Sequence, residues 1–488
     1  MTSQTEIEIK LEMAPAARDG VLAALGTEGL QRTRLQAVYV DTPGRLLARH
    51  RIALRLRREG PRWVQTLKAA GAHEMARLEH NVDLGEGDAE PAIDPQRHAG
   101  TPAGERLFAV LGDEVLAARY RTDIERRHRE IVAGGARIEL AFDEGHIAAG
   151  DARWPVCELE LELLAGEPAD LVAEAGRWID RHGLWLDVRS KAERGERLAS
   201  GQRQVPARRA GRLSLPRDLS AGGALRTVIA HCLQQVQANA AEVADGRYDD
   251  EHVHQLRVGL RRLRTALRFF GAGQPEVDPA WTEALAELFR RLGSARDRAA
   301  LAEAFEAPLQ AAGAPLAALP PAEGEAPQAL LREPSATRLW LALQAFALSP
   351  EPVLAQPARP LALRRLQRWH HRLETAARHP AVQDDAARHR LRKRAKRLRY
   401  AAEFCAEWLR PRRLRRYLRR LAAVQAALGD CNDIATALPL YRDLAAHNPR
   451  AWFAVGWLTA RQDHAVAAAD AALHRLAATR TPWQDGDD

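Results

Sequence analysis

The sequence predicts an α+β multidomain protein, a sheet-rich domain followed by an all-α one, and three observations carry the prediction. Up to about residue 165 charged and apolar side chains alternate with period two. From about residue 217 the period is 3.6, and Ala, Leu and Arg dominate. Between them a polar, Arg-rich stretch, SGQRQVPARRAGRLS at 200–214, has no periodicity. The domains are therefore drawn at 1–200 and 217–482, with 201–216 as the linker.

Taken in order, the first domain offers alternating segments at 6–10, 34–41, 51–57, 63–68, 77–83, 119–129, 137–143 and 154–163. Gly, Pro and Asp turns such as EGPR (59–62) and DEGH (143–146) separate them. Short alternating runs of this kind form an antiparallel sheet or barrel. Residues 15–25 and 168–182 have helical spacing, the second before a Gly-Leu-Trp-Leu return. In the helical domain HQLRVGLRRLRTALRFF begins at His254 and HRLRKRAKRLRYAAEFC at His389, 135 residues later. At that offset His254, Arg257, Arg261, Arg262, Arg264 and Phe269 fall on His389, Arg392, Lys396, Arg397, Arg399 and Phe404. Each copy precedes a related segment read as a turn, LGSARD at 292–297 and LGDCND at 428–433. Two duplicated helical-bundle halves are expected, joined through the Ala/Pro-rich stretch 307–335.

The 488 residues are 46% hydrophobic and 28% charged, the composition of a folded chain. The formal net charge of +8 is unevenly split. Residues 1–200 hold 28 Lys and Arg against 34 Asp and Glu, a net of −6; the remainder holds 44 against 30, a net of +14. Four distant cysteines, Cys157, Cys232, Cys405 and Cys431, lack CxxC pairing and argue against a disulfide scaffold or a zinc cluster. The N-terminus MTSQTEIEIK has no apolar signal core. No apolar run approaches the roughly 20 residues of a membrane span. A cytoplasmic protein with an anionic partner and no membrane attachment is expected.

In the first domain the charges are segregated by strand. Glu6, Glu8 and Lys10 share one face of a strand, and Glu158, Glu160 and Glu162 share one face of another. Arg55 with Arg57, Arg119 with Arg121, Arg77 with Glu79 and Glu139 with Asp143 follow the same alternation. Three same-face carboxylates repel one another unless a cation lies among them. If the sheet closes with this face inward, it makes a tunnel lined by carboxylates and by Arg and Lys. Such carboxylates suit hard divalent ions, Mg²⁺ or Mn²⁺. The Arg and Lys suit phosphate oxygens. These are the parts of a phosphoryl-transfer site without a P-loop or kinase motif.

The ExExK arrangement of Glu6, Glu8 and Lys10 resembles the signature of the CYTH domains, the triphosphate tunnel metalloenzymes. The resemblance continues in order through VYVDTP (38–43), LRLR (54–57), TLK (66–68), RLE (77–79), RYR (119–121), IELAFDEG (138–145), ELELE (158–162) and SKAERG (190–195). It implies an eight-stranded antiparallel β tunnel with flanking helices, which binds a triphosphate-bearing substrate with Mg²⁺ or Mn²⁺. Carried over by position, Glu6, Glu8, Glu160 and Glu162 bind metal and orient the attacking water, with Glu158 as helper. Lys10, Arg55, Arg57, Lys68, Arg119 and Arg121 bind the phosphate chain, with Arg77, Lys191 and Arg194 as further candidates. Glu79, Glu139 and Asp143 are either more acidic lining or partners that hold arginines in place. Tyr39 matches a tyrosine that in some short members works with the first-strand lysine; a core or tunnel-mouth role is expected here. The family also includes adenylate cyclases and thiamine triphosphatases. No base-recognition motif favours either, and inorganic triphosphate is the simplest substrate that fills such a site.

In the helical domain His254, Arg257, Arg261, Arg264 and Arg268 fall within a roughly 80° arc of a helix, beside an apolar seam. His389, Arg392, Lys396 and Arg399 repeat the stripe. Residues 388–420 hold fifteen Lys and Arg against Glu403 and Glu407 alone, so a polyanion is expected to compensate. This half resembles the CHAD family, helical domains named for conserved histidines. The resemblance implies inorganic polyphosphate binding in a basic groove lined by His254, Arg257, Arg261, Arg264, His389, Arg392, Lys396 and Arg399, flanked by Arg262, Lys393 and Arg397. It also allows association with polyphosphate granules. Asp297 and Asp433 are expected to cap or pin helices, and His370, His371, Trp340, Trp369, Trp408 and Trp452 to pack the bundle.

The leading expectation is a metal-dependent inorganic triphosphatase whose basic domain holds polyphosphate. A non-catalytic polyphosphate-binding protein is the alternative; four metal-facing glutamates exceed what binding alone needs. A nucleic-acid binder is disfavoured, since the stripes lack interleaved aromatics for stacking.

Overall fold

The computed structural model describes residues 7–70, 77–315, 317–320, 324–349, 356–378 and 384–483. The alternating segments become strands β1 (Glu8–Glu12), β2 (Gln31–Asp41), β3 (Ile52–Glu59), β4 (Arg62–Ala70), β5 (Arg77–Glu86), β6 (Ala117–Ala133), β7 (Ala136–Ala149) and β8 (Ala152–Ala165), with a ninth, β9 (Trp185–Leu186). They form one sheet in the order β5-β4-β3-β2-β6-β7-β8-β1-β9. The pairings are antiparallel. The expected strand count was eight. The difference is the Gly-Leu-Trp-Leu return, which pairs Leu186 with Leu11 and Trp185 with Glu12 along the free edge of β1. The sheet is also open: among the described residues β5 and β9 are its two ends, with no ladder between them.

Period two sorts the side chains. Ile9, Leu11, Ile138, Leu140, Phe142, Leu159 and Leu161 point to one face and are buried under helices Arg18–Leu25 and Pro168–His182 through Val21, Leu25, Leu171, Trp178 and Ile179. Helix Pro168–His182 starts on a proline that lacks only an orphan N–H, and stops at Gly183, which is left-handed at φ 65°. On β3 and β4, Leu54 and Leu67 are covered by helices Leu46–Arg49 and Pro102–Leu111. Thr101 caps the latter by accepting from the Gly104 N–H.

The opposite face carries the charges and is capped by helix Lys191–Ala199. A capping box between Ser190 and Glu193 starts that helix. Gly195 lets it lie on Tyr120: a Cβ there would stand 2.2 Å from the ring. The glycine of SKAERG is therefore a packing requirement that carries Lys191 and Arg194 onto the sheet.

From Ala221 on, the described residues are mostly helical, as their period predicts. The basic motifs lie on helices Asp250–Phe269 and Asp385–Phe404. LGSARD does break the chain, between helices Pro279–Arg291 and Ser294–Ala311. LGDCND does not: it lies within the continuous helix Pro411–Ala445. The single Gly429 costs a helix only about 1 kcal/mol, too little to end one that buries Leu421, Val424, Leu428 and Ile434. The stretch 307–335 is likewise not a bare connection, since it includes the end of Ser294–Ala311 and helix Pro327–Arg332. Trp340 and Trp408 are buried, and Trp369 packs on Phe269 with ring centroids 5.1 Å apart. Trp452 departs from expectation: it is 60% exposed on the first turn of helix Ala451–Ala477. His370 is buried and bonded to the Tyr417 hydroxyl at 2.8 Å, whereas His371 is exposed.

The chain divides into two compact units. One comprises Met1–Arg208, Gln237–His252 and Leu331–Ser349; the other comprises Arg209–Val236, Val253–Leu330 and Pro350–Asp488. Among the described residues no helix is long and apolar enough to cross a membrane.

Candidate functional site

The sheet register assembles the acidic residues. Glu8 pairs across β1 and β8 with Glu162, Lys10 with Glu160 and Glu12 with Glu158. On the other side of β8, Glu139 stands opposite Glu162 and Asp143 opposite Glu158. One row therefore reads Glu139, Glu162, Glu8 and another Asp143, Glu158, Glu12. Asp143, Glu158 and Glu160 each present an oxygen within 4.8 Å of the others.

Cations lie among them, as the repulsion argument requires. The Lys191 ammonium is 2.6 Å from Asp143 and 2.8 Å from Glu160, and also touches Glu158. Arg126 donates twice to Asp143, both at 2.7 Å, and once to Glu160. Arg194, fully buried, bridges Glu158 and Glu12, the latter at 3.0 Å. Burial would raise the Glu160 carboxyl, but Lys191, Arg126 and Lys10 outweigh it and hold it well below the usual range. The same carboxylates raise Lys191 against the effect of burial, so it stays charged. Glu12 differs: burial and the neighbouring Asp187 carboxylate push it up to about 8.

Lys10 donates to the Arg189 carbonyl at 2.9 Å. Arg189 in turn forks onto Asp187 and reaches Asp245 at 2.9 Å. Arg197 forks onto Glu242 at 2.7 and 2.8 Å. Arg189, Arg197 and Arg247 gather round the Trp154 ring. This buried ionic layer anchors the segment that precedes Lys191.

On β3, Arg55 donates to the Tyr39 hydroxyl at 3.0 Å, and Tyr39 stacks on Tyr120 with centroids 4.7 Å apart. Burial alone would raise the Tyr39 phenol, but Arg55, Arg57 and Lys191 lower it. Burial and the neighbouring Arg55 lower Arg57 to about 10, even though Arg57 pairs with Glu59. On β4 and β5, Lys68 pairs with Glu79 at 2.7 Å.

The predicted residues are thus only partly gathered. Glu8, Lys10, Glu158, Glu160, Glu162 and Lys191 share one neighbourhood. Arg55 and Arg57 adjoin it through Tyr39 and Arg126. Glu6 and the side chain of Arg77 lie outside the described residues. Arg119 sits at a bulge in the β2–β6 pairing and turns toward Glu196, 3.6 Å away. Arg121 is not brought in: by strand alternation it faces away, 60% exposed and paired with Glu90 at 3.2 Å. The arginine in its place is Arg126, which sequence reasoning missed. Its signal was available, since Tyr120, Thr122, Ile124 and Arg126 share one parity, but only the pairing with Asp143 shows which parity faces the carboxylates. Arg194 is buried against Glu158 and Glu12.

In the second unit Arg257 and Arg261 lie over the Phe289 ring, 4.6 and 5.3 Å from its centre. Burial and then Arg261, Arg392 and Arg257 lower Lys396 to about 7, with Asp433 opposing. Next along, burial, Arg268, Arg264 and Arg394 depress Arg397. His389 is bonded through Nδ1 to the Asn432 side-chain oxygen at 2.6 Å, while Asn432 donates to Asp433 at 3.2 Å. His254 is half-buried and Lys393 exposed. Two expected members are diverted. Arg262 is buried between the Tyr400 and Phe404 rings and pairs with Glu403 at 3.1 Å. Arg399 bonds the same Glu403 at 2.8 Å and Gln425 at 3.3 Å. The Asp297 side chain lies outside the described residues.

Two families match the chain. Residues 4–194 match the CYTH domain family and residues 227–442 the CHAD domain family. The inorganic triphosphatase of Haemophilus influenzae is 30% identical over 210 residues, 40% of this chain and 56% of the relative. An uncharacterized protein of Mycobacterium tuberculosis is 28% identical over 311 residues, 60% of this chain and 57% of the relative. The chain thus spans a little over half the length of these relatives. Among solved structures, the CHAD domain of the plant Ricinus communis is 33% identical, covers 57% of this chain and 98% of its own, and has a TM-score of 0.47. A Hippeastrum protein described as a putative adenylyl cyclase with a dominant triphosphatase activity is 20% identical, covers 41% of this chain and 98% of its own, and has a TM-score of 0.29.

Proposed function

We propose that this chain, a CYTH domain followed by a CHAD domain, is a metal-dependent inorganic triphosphatase that binds inorganic polyphosphate through its basic helices. The observation that carries the reading is the Asp143, Glu158 and Glu160 trio beside Lys10, ringed by Lys191 and Arg126. The trio fits a divalent metal: its donors are hard carboxylate oxygens, close together, and they already draw in a cation, the Lys191 ammonium. The Haemophilus relative supports triphosphate as the substrate.

In this reading the charged face curls round the substrate as a tunnel. Glu158, Glu160 and Asp143, with Glu6, Glu8 and Glu162, hold Mg²⁺ or Mn²⁺. The ion would supply positive charge to phosphate oxygens and lower the pKa of water. Lys10, Arg55, Arg57, Lys68, Arg119 and Arg126 bind the phosphate chain and stabilise charge on the departing oxygen. Glu8 and Glu162 orient the attacking water at the terminal phosphorus. The P–O anhydride bond breaks, giving pyrophosphate and phosphate. Helix Lys191–Ala199 holds Lys191 and Arg194 against the carboxylates, so no reorganisation is needed as charge develops.

The helical domain, taken as two halves of one duplication, uses Arg257, Arg261, Arg264, Arg392, Lys396 and Arg397 to bind phosphate oxygens, with His254 and His389 as further donors.

Phosphate release from tripolyphosphate with Mg²⁺ or Mn²⁺, measured on the full chain and on Glu160→Gln, tests the catalytic half. Loss of release in the variant is expected; equal release by both proteins sinks the catalytic assignment. Competition between long-chain polyphosphate and duplex DNA tests the binding half, and easy displacement by DNA at moderate salt overturns it.

A further inference from the structure

The basic cluster of the second unit brings like charges face to face. Arg257 and Arg261 come from helix Asp250–Phe269, and Arg392 and Lys396 from helix Asp385–Phe404. Helix Pro279–Arg291 adds Phe289 beneath the first two arginines. Helix Pro411–Ala445 adds Gln425, Asn432 and Asp433, the last being the carboxylate that offsets the charges acting on Lys396. His389, on helix Asp385–Phe404, has Lys393, Arg392 and Lys396 of the same helix acting on it. The buried Nε–H groups of Arg261, Arg264 and Arg392 have no acceptor among the described residues. Desolvated cations with idle donors are poorly satisfied until an anion arrives.

The His389 ring adds a constraint. Because Asn432 donates its amide to Asp433, its oxygen is turned to His389 and accepts from Nδ1–H. Nε2 is then the atom that must gain a proton before His389 can donate to a phosphate.

We propose that binding of a phosphate chain to this cluster is coupled to proton uptake at Lys396 and His389, so that pH sets the affinity. The proposal rests on the reading that the cluster binds polyphosphate. Lys396 lies at about 7 in the free protein, through burial first and the facing arginines second, so a large fraction is uncharged at neutral pH. His389 is held below its ordinary value by burial, although the Asn432 bond opposes this. A polyanion replaces the repelling field with an attracting one and raises both groups. The bound state therefore holds more protons than the free state, and affinity falls as pH rises from the free value of Lys396 toward its value in the complex. Below that range Lys396 is already charged and its contribution is flat; His389 then carries what dependence remains.

Calorimetric titration of the full chain with long-chain polyphosphate tests this. Divalent cations are left out so that hydrolysis does not intervene, and two buffers of different ionisation enthalpy are used. The internal phosphates of a long chain stay ionised throughout. The expected result is a buffer-dependent heat that reports proton uptake, and a loss of affinity approaching about tenfold per pH unit between about pH 7 and about pH 9. Lys396→Arg, whose charge is permanent, is expected to bind with nearly buffer-independent heat above about pH 7 and an unchanged circular dichroism spectrum. Binding by the native chain with the same heat in both buffers overturns this proposal alone, as does an unaltered pH dependence in Lys396→Arg. No binding at any pH overturns it together with the polyphosphate reading.

Discussion

On the sheet, Asp143, Glu158 and Glu160 are each in contact with Lys191, Arg126 or Arg194. On the helices, Arg261, Arg392 and Arg257 act on Lys396, with Asp433 as a counterweight. Both regions are one-sided charge stripes in the sequence, yet the fold brings cations onto the carboxylates and sets Lys396 among like charges. Catalysis gains from donors and acceptors held before substrate arrives. A surface that captures a polyanion gains from charges that only the polyanion satisfies. The difference also sets how each region should answer to mutation. A paired buried charge stabilises its partner, whereas removal of one of several like charges relieves repulsion.

The largest effect is expected at Arg194. Its removal leaves Glu158 buried without its guanidinium, so Arg194→Ala should cost about 3–5 kcal/mol in denaturant unfolding. A cost below about 1 kcal/mol would mean that the sheet charges do not depend on one another. Next is Glu160→Gln, which should lower triphosphate hydrolysis by about 10²–10³-fold at unchanged secondary structure.

A third effect is on pH. Glu12 lies near 8, above its ordinary 4.5, so the folded state holds its proton more tightly than the unfolded chain. Its contribution to stability is complete below the unfolded value and is lost as pH rises toward 8. Glu12→Gln should flatten the fall in unfolding free energy over that window, which otherwise reaches at most about 1.4 kcal/mol per pH unit. An identical pH profile in the variant would place the proton elsewhere in the Glu12–Asp187 pair. The smallest effect sharpens the contrast from the other side. Arg392→Ala should change stability by less than about 1 kcal/mol, while the slope of log affinity for polyphosphate against log salt falls by about 0.7. A stability loss as large as that at Arg194 would make the helical cluster internally paired after all.

Much of the architecture was legible because it follows from local periodicity. Alternation over 154–163 placed Glu158, Glu160 and Glu162 on one face and Leu159 and Leu161 in the core. Pro168 and Gly183 bounded a helix that forms between them. Legibility failed where one strand or turn was judged alone. Arg121 and Arg126 have opposite parity on β6, and nothing within the strand says which parity meets the carboxylates. LGDCND resembled LGSARD as a turn, but its apolar residues are buried along a continuous helix, and that packing prevails over a glycine. Trp452 looked like a core residue by type, and the tertiary packing leaves it exposed.

By itself, then, the sequence determined an alternating region followed by a helical one, with carboxylates on one strand face and basic residues on one helix stripe. Those properties need only a residue's own spacing and the geometry of strand and helix. The tertiary structure decided which charges meet. It carried Lys191 onto Asp143, Glu158 and Glu160, turned Arg262 to Glu403, and set Lys396 against Arg261 and Arg392. Coulomb energy depends on separation and surrounding dielectric, and both are fixed by strand order and burial rather than by position along the chain.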